Sequence, residues 1–306
     1  MTVKINPKLR ITHNTRQQAA TQMQAGKWQA QLDLRIENRP AGARLVSNHR
    51  QGPLHVQKAF YPEGSDLAHL YLLHPPGGLV SGDSLTINAD VAENSAALIT
   101  TPGAGRLYGA RDSNKSQLQN NLLRVKSGAS LEWFPMETLF YTRSKGQSKT
   151  RVEIDDGGKF IGWDICALGL PASGEPFVDG ELSQVFEIVH KGKLEWLERW
   201  RFNAEDTEFL NSQAGLNGYS ANGVFVAGPF DQPISNDDMT ELHERCQQFR
   251  VNQQGLAGVT QVNQWLVCRY VGPSTTHARE CFTQVWQNIR PILINRDACA
   301  PRIWAC

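Results

Sequence analysis

Between Trp28 and Phe202 the chain is cut into short runs by turn signals that recur at close intervals: Ser127-Gly128, Lys145-Gly146, Asp156-Gly157-Gly158, Asp179-Gly180 and Lys191-Gly192. Glycine reaches the positive φ angles of tight turns without steric cost. Between turns, apolar and polar residues alternate, as at Leu32, Leu34 and Ile36 and again at Leu85, Ile87 and Ala89. A period of two is that of a half-buried strand. Short alternating runs with closely spaced turns predict an all-β body. No fixed-period repeat is evident, so a regular solenoid is not expected.

Two later segments switch period. Ser235, with Asp238 three residues on, reads as a helix cap, and Met239, Leu242, Cys246 and Phe249 follow at helical spacing. After Ser274, residues Ala278, Cys281, Phe282, Val285, Trp286 and Ile289 line one face of a second helix. That helix is predicted to stop before Pro291, because proline disfavours the α conformation in the residue ahead of it. A strand is expected around Gln264 to Val271. The Asn-, Ser- and Gly-rich stretch from Glu205 to Gly223 reads as a long loop. No linker separates two units, so residues 1–306 are expected to form one domain.

Composition narrows the function classes. The 306 residues carry 31 basic and 30 acidic side chains, a formal net charge of +1. A generic nucleic-acid binder shows a basic excess, which this chain lacks. No apolar run approaches the roughly 20 residues needed to cross a bilayer. The segment Met1–Pro7 holds no apolar run of signal-peptide length, so a cytoplasmic location is expected. The cysteines Cys166, Cys246, Cys268, Cys281, Cys299 and Cys306 form no Cys-x-x-Cys pair and are expected as free thiols.

Several motifs invite chemistry. Gly82-Asp83-Ser84-Leu85 matches an esterase signature, but no Asp-x-x-His occurs near His243 or His277, and a serine without a positioned base is a poor nucleophile. Gly103 to Gly109 misses the dinucleotide fingerprint by one residue and is followed by a polar run instead of a helix. No phosphate loop with Gly-Lys-Ser or Gly-Lys-Thr exists, so nucleotide triphosphate chemistry of that kind is not expected of this chain. The histidines show no metal-ligand spacing, so a tight, dedicated transition-metal site of His and Cys is not expected. The run His74-Pro75-Pro76-Gly77-Gly78 up to Asp83 is a stiff, sharply turned connection. It either presents the Asp83 carboxylate to a metal or partner, or uses it to bond nearby amides.

The block from Gly162 to Glu175 is the strongest candidate site. As a strand, it places Phe160, Gly162, Asp164 and Cys166 on one face and Ile161, Trp163 and Ile165 on the other. Neither face looks solvated, so Asp164 is expected to be buried. A buried carboxyl keeps its proton unless water, a cation or hydrogen bonds compensate the charge. Pro171-Ala172-Ser173-Gly174 then turns the chain, with Glu175 at its end. The plainer reading is an Asp bonded by amides and an ordinary exposed Glu.

Five blocks together carry a family resemblance: Phe60-Tyr61-Pro62-Glu63-Gly64, Leu72 to Asp83, Thr100-Thr101-Pro102, Gly162 to Glu175, and Pro301-Arg302-Ile303-Trp304-Ala305-Cys306. In this order, over nearly the whole chain, they resemble the urease accessory protein UreD (UreH) family. The resemblance implies a mainly β fold of stacked, β-helix-like sheets with about two α-helices near the C-terminus. It implies a scaffold and not an enzyme. Such a protein would bind the urease apoprotein and recruit accessory protein F, which holds accessory protein G, a GTPase. Nickel would be in transit, with no permanently bound cofactor. A conduit needs ligands that admit an ion and release it again, and Glu63, Asp83, Asp164 and Glu175 are nominated as transient oxygen donors. Arg302, Trp304 and the loop around Leu210 to Gly223 are candidate partner contacts, although a tryptophan near a terminus often pins that end to the body. The chain departs from the family pattern at Leu170, where arginine is common, and at Cys306, where threonine is usual. Two other readings stand beside this one: a serine hydrolase using Ser84, and a non-enzymatic β-rich module binding carbohydrate or protein through its eight tryptophans.

Overall fold

The computed structural model describes residues 28–112 and 114–305; the Met1–Pro7 segment and Cys306 lie outside them. The chain runs through β1 (Gln29–Arg39), β2 (Gly42–Gln51), β3 (His55–Val56), β4 (Leu67–Leu73), β5 (Ser84–Val91), β6 (Ala96–Thr100), β7 (Gly105–Leu107), β8 (Gln117–Val125) and β9 (Ser130–Phe134). It continues through β10 (Thr138–Phe140), β11 (Lys145–Ile154), β12 (Lys159–Leu168), β13 (Glu181–His190) and β14 (Lys193–Asn203). The last part holds α1 (Thr207–Asn211), β15 (Ala221–Gly228), α2 (Asn236–Val251), β16 (Leu256–Val262), β17 (Trp265–Gly272) and α3 (Thr275–Ile294).

Among the described residues these strands form two stacked sheets. The first has the order β14-β13-β11-β8-β5-β1-β2. The second runs β16-β17-β15-β12-β9-β6-β4-β3, with β10 pairing β12 and β7. From β4 to β13 the main strands alternate between the two sheets, so each turn of the chain lays one parallel strand in each. In the second sheet Leu67 pairs with Ala96, Ala96 with Ser130 and Ser130 with Lys159, steps of 29, 34 and 29 residues. In the first, Ser84 pairs with Leu118, Leu118 with Gln147 and Gln147 with Ser183, steps of 34, 29 and 36. The body is therefore a coil of stacked turns whose lengths are unequal, and the inequality hides the repeat from a fixed-period reading. Antiparallel strands close both sides: β2 on β1, β14 on β13, and β15 on β12.

Two cores follow from this layering. Leu32, Ile36, Leu70, Ile99, Leu131, Phe160 and Phe186 fill the space between the sheets. Trp163, Phe225, Leu266, Phe282 and Trp286 fill the space between the second sheet and the helices. The alternation read at β1 and β5 holds: Leu32, Leu34, Ile36, Leu85, Ile87 and Ala89 are all buried. α3 packs on β12, β15 and β17, and α2 packs on β16 and α3. The cap expected at Ser235 is present, and Ser274 caps α3 in the same way. Ser235 accepts from the Asp238 N–H at 3.1 Å, and Ser274 accepts from the Thr276 N–H at 3.2 Å. Fully burying a side chain such as Phe282 contributes roughly 1.5–3 kcal/mol, which is what holds α3 down.

Three local expectations are corrected. α3 does not stop before Pro291 but runs to Ile294. Pro291 has no N–H to give to the Gln287 carbonyl. Arg290 and Leu293, buried on the inner face, keep the last turn in place. The helix ends at Asn295, in the left-handed conformation, whose N–H bonds the Pro291 carbonyl at 3.1 Å. Lys145-Gly146 lies inside β11 and makes no turn. Its glycine serves close packing, since a Cβ there would stand 2.4 Å from the Phe140 ring and 2.6 Å from Leu107. The stretch from Glu205 to Gly223 contains α1 and the start of β15. Among the described residues no helix is long and apolar enough to cross a membrane.

Candidate functional site

β12 is covered on both faces. Phe160, Cys166 and Leu168 point between the sheets, while Ile161, Trp163 and Ile165 point toward the helices. Asp164 shares the inner face and is 7% exposed. It borders a cavity of about 260 Å³ between the sheets. His74, Asn121, Ser148, Thr150 and Thr138 give this cavity a polar lining. Its rim includes the exposed Pro102 and Gly103. On its other side Asp164 borders a void of about 10 Å³, shared with Gln184, Glu198 and Asn222, close to the least room that one water needs. Glu198 pairs with Arg269 at 2.8 Å. Asp164 thus stands between a roomy chamber of mixed apolar and polar lining and a narrow continuation toward β14.

The electrostatics at Asp164 are unusual for a carboxylate. Burial pushes its carboxyl up to about 7, with a Gln184 hydrogen bond pulling the other way. Its Oδ2 has no hydrogen-bond partner among the described residues, and neither have Asn121 Oδ1 and Asn222 Nδ2. Asn121 Nδ2 donates to Thr150 Oγ1 at 3.0 Å, which turns its free oxygen to other use. Burial also pushes the neighbouring Cys166 thiol up, so it stays protonated. Burial lowers His74 below the ordinary histidine value, and Asp83 opposes that shift. Uncompensated buried polar atoms are rare because each costs free energy. Asn121 borders the larger cavity, Asn222 the smaller void and Asp164 both, so water or a passing cation at Asp164 would satisfy its free oxygen.

The other nominated carboxylates lie elsewhere. Asp83 is buried and accepts from the Val80 N–H at 2.9 Å and the Trp28 N–H at 3.2 Å, so it holds the corner after Gly82. Glu63 accepts from Arg290 at 2.6 and 2.9 Å and meets His69 Nε2 at 2.7 Å. Burial alone would raise the Glu63 carboxyl, but the bonds from His69 and Arg290 win and hold it low. Arg290 also forks onto Glu132, its Nε and Nη2 each donating at 2.9 Å, and Trp286 Nε1 donates to Glu132 at 2.7 Å. This buried cluster ties α3 to β9 and to the loop before β4. Glu175 is exposed, at the end of a single 3₁₀ turn over Pro171–Ser173. Its carbonyl lies 2.4 Å from where a Cβ on Gly169 would be, and Gly169 has φ +71°. Only glycine fits there. Glu175 lines a shallow groove of about 330 Å³ with Phe177 and Tyr219, apart from the Asp164 cavity.

The remaining sequence candidates have plain positions. Trp304 Nε1 donates to Thr100 Oγ1 at 3.0 Å, and its ring meets Phe134, Trp163 and Trp286. It anchors the carboxy-terminal end to the helix-side core. Arg302 is exposed beside it. Leu170 pairs through its backbone with Glu175. Ser84 begins β5, and among the described residues no histidine or carboxylate bonds its hydroxyl. Of the tryptophans, Trp133, Trp163, Trp265 and Trp286 are fully buried core residues.

Sequence reasoning missed one grouping. Cys246, Cys268 and Cys281 are buried, and their sulfurs lie together. Their separations of 22 and 13 residues carry no ligand signature, and only the packing of α2 and α3 on β17 joins them.

Comparison with known proteins agrees with the architecture. A family model described as UreD urease accessory protein matches residues 29–305. A protein of Marinomonas sp. (strain MWYL1) named urease accessory protein UreD is 42% identical over 287 residues, 92% of this chain and 91% of that one. Proteins of the same name from Psychromonas ingrahamii and Nostoc sp. (strain PCC 7120) are 37% and 38% identical, over 91% and 90% of this chain and 94% and 96% of their own lengths. A match over this much of the length, on a mainly β body with helices at its end, shows that the chain belongs to the UreD urease accessory protein family.

Proposed function

We propose that this chain serves urease maturation as a catalytically silent scaffold, and that nickel in transit passes through the inter-sheet cavity beside Asp164. The observation that carries this reading is the buried carboxyl oxygen of Asp164, left unpartnered among the described residues where two voids meet. A divalent ion reaching Asp164 displaces its proton, and the proton returns when the ion leaves. Because ionising this buried group is costly, the ion is held weakly, which suits passage better than storage. Neutral oxygens from Asn121, Ser148 and Thr150 can replace part of the ion's water without adding charge. In this reading Glu175, on the surface groove, is an exit or entry contact. Glu63 and Asp83 act through their present bonds, which shape the body around the cavity.

The partners follow from the family resemblance: the urease apoprotein, accessory protein F, and the GTPase accessory protein G. The chain's own contribution is to position them and to screen the ion from bulk solvent, in a cytoplasmic complex. Among the described residues Ser84 has no base hydrogen-bonded to it of the kind hydrolase chemistry needs, which supports a non-catalytic role.

The test is urease activation in the assembled complex. Asp164→Ala with Glu175→Ala is expected to lower activation at least several-fold while all components still co-purify. Full activation by the double variant would remove this site. Loss of co-purification would assign these two residues to assembly and not to the ion.

A further inference from the structure

Cys246 on α2, Cys268 on β17 and Cys281 on α3 converge where the two helices meet the second sheet. Their Sγ atoms all lie within 4.8 Å of one another, with Cys246 and Cys268 3.8 Å apart. Metal–sulfur bonds of about 2.3 Å place the sulfurs of a trigonal site about 4 Å apart. The three thiols already stand near that spacing, on three separate elements, inside an apolar core.

The ligand set decides which ion fits. No imidazole or carboxylate joins the three sulfurs among the described residues. His243, one turn from Cys246 on α2, meets the Val259 carbonyl through Nε2 at 3.0 Å, so that nitrogen is already engaged. Structural zinc is almost always four-coordinate, and a fourth donor is missing here. Soft thiolates select copper(I), a closed-shell ion that accepts three-coordinate sites. Hard oxygen-seeking ions have nothing to hold.

We propose that Cys246, Cys268 and Cys281 form a three-sulfur site for copper(I), separate from the inter-sheet cavity. Each bond to a thiolate forms as that thiol's proton leaves to solvent. The bound ion cross-links α2, β17 and α3 and stabilises the fold in proportion to its occupancy. The bland role for three buried cysteines is that of small apolar fillers, and alanine would serve that role nearly as well.

That difference supplies the experiment. The full chain, with Cys299→Ala and Cys306→Ala to remove other thiols, is loaded with copper(I) without oxygen and dialysed against a chromophoric copper(I) chelator. One copper per chain is expected to remain, with X-ray absorption showing three sulfur neighbours. Cys246→Ala, Cys268→Ala and Cys281→Ala combined should lower retention at least 100-fold, whereas Cys166→Ala and Asp164→Ala should not change it. Should the triple variant fail to fold, the absorption spectrum of the background chain decides alone. No retained copper, a coordination shell without three sulfurs, retention by a folded triple variant, or preferential retention of zinc(II) would each overturn the proposal.

Discussion

Asp164→Asn isolates the electrostatic state of the candidate site. The substitution keeps shape and polarity and removes only the ability to ionise. In the folded chain burial raises the Asp164 carboxyl to about 7; unfolded, it titrates near 3.9. The group therefore binds its proton more tightly when folded. Its stabilising contribution is complete below the unfolded value and is lost as the pH rises toward 7. A gap of about three pKa units corresponds to about 4 kcal/mol at full ionisation. At pH 5 only about 1–2 kcal/mol of that has been lost. Urea unfolding of wild type and Asp164→Asn from pH 5 to pH 8.5 reads the difference directly. The wild type is expected to weaken relative to the variant by roughly 2–3 kcal/mol over this range. Parallel curves would mean that the carboxylate ionises without cost, and the argument for weak, proton-coupled ion binding would fail.

Other outcomes follow from the same geometry. Glu132→Ala leaves the Arg290 guanidinium buried and half paired, and urea unfolding should show a loss of about 3–5 kcal/mol; a loss under about 1 kcal/mol would contradict the cluster's role. Because Glu63 is held below its ordinary value by His69 and Arg290 despite burial, its contribution is present above the unfolded value of about 4.3 and disappears as the pH falls through the folded one. Glu63→Gln should therefore flatten the acid limb of the stability profile below about pH 4. Trp304→Ala removes three ring contacts and a bond to Thr100; it should cost roughly 2 kcal/mol by thermal unfolding, less than the 3–5 kcal/mol of a fully buried tryptophan.

What could be read beforehand was local and periodic. Alternation at Leu32–Ile36 and Leu85–Ala89 marked strands because one face of each had to be apolar. Ser235 marked a helix start because a side-chain oxygen is needed there. Asp164 was legible as buried because both faces of its strand are apolar. The coil of stacked turns was not legible, since its successive lengths differ and its pairing joins residues about thirty apart. Glu63 and Asp83 show what the sequence leaves out: it displays an acid but not its partners. Arg290 and Glu132, from α3 and β9, meet only through tertiary packing. The same packing carries α3 past Pro291, against the local preference of the chain.

The central claim is that an ion travels through the space between the sheets. Ser148 lines that space and is buried, so Ser148→Leu narrows it without touching a carboxylate. The decisive measurement is the nickel content of urease matured by the complex carrying this variant, once its unfolding midpoint and co-purification match the wild type. The account expects nickel per urease active site to fall several-fold. Full nickel loading through the narrowed chamber would place the route elsewhere.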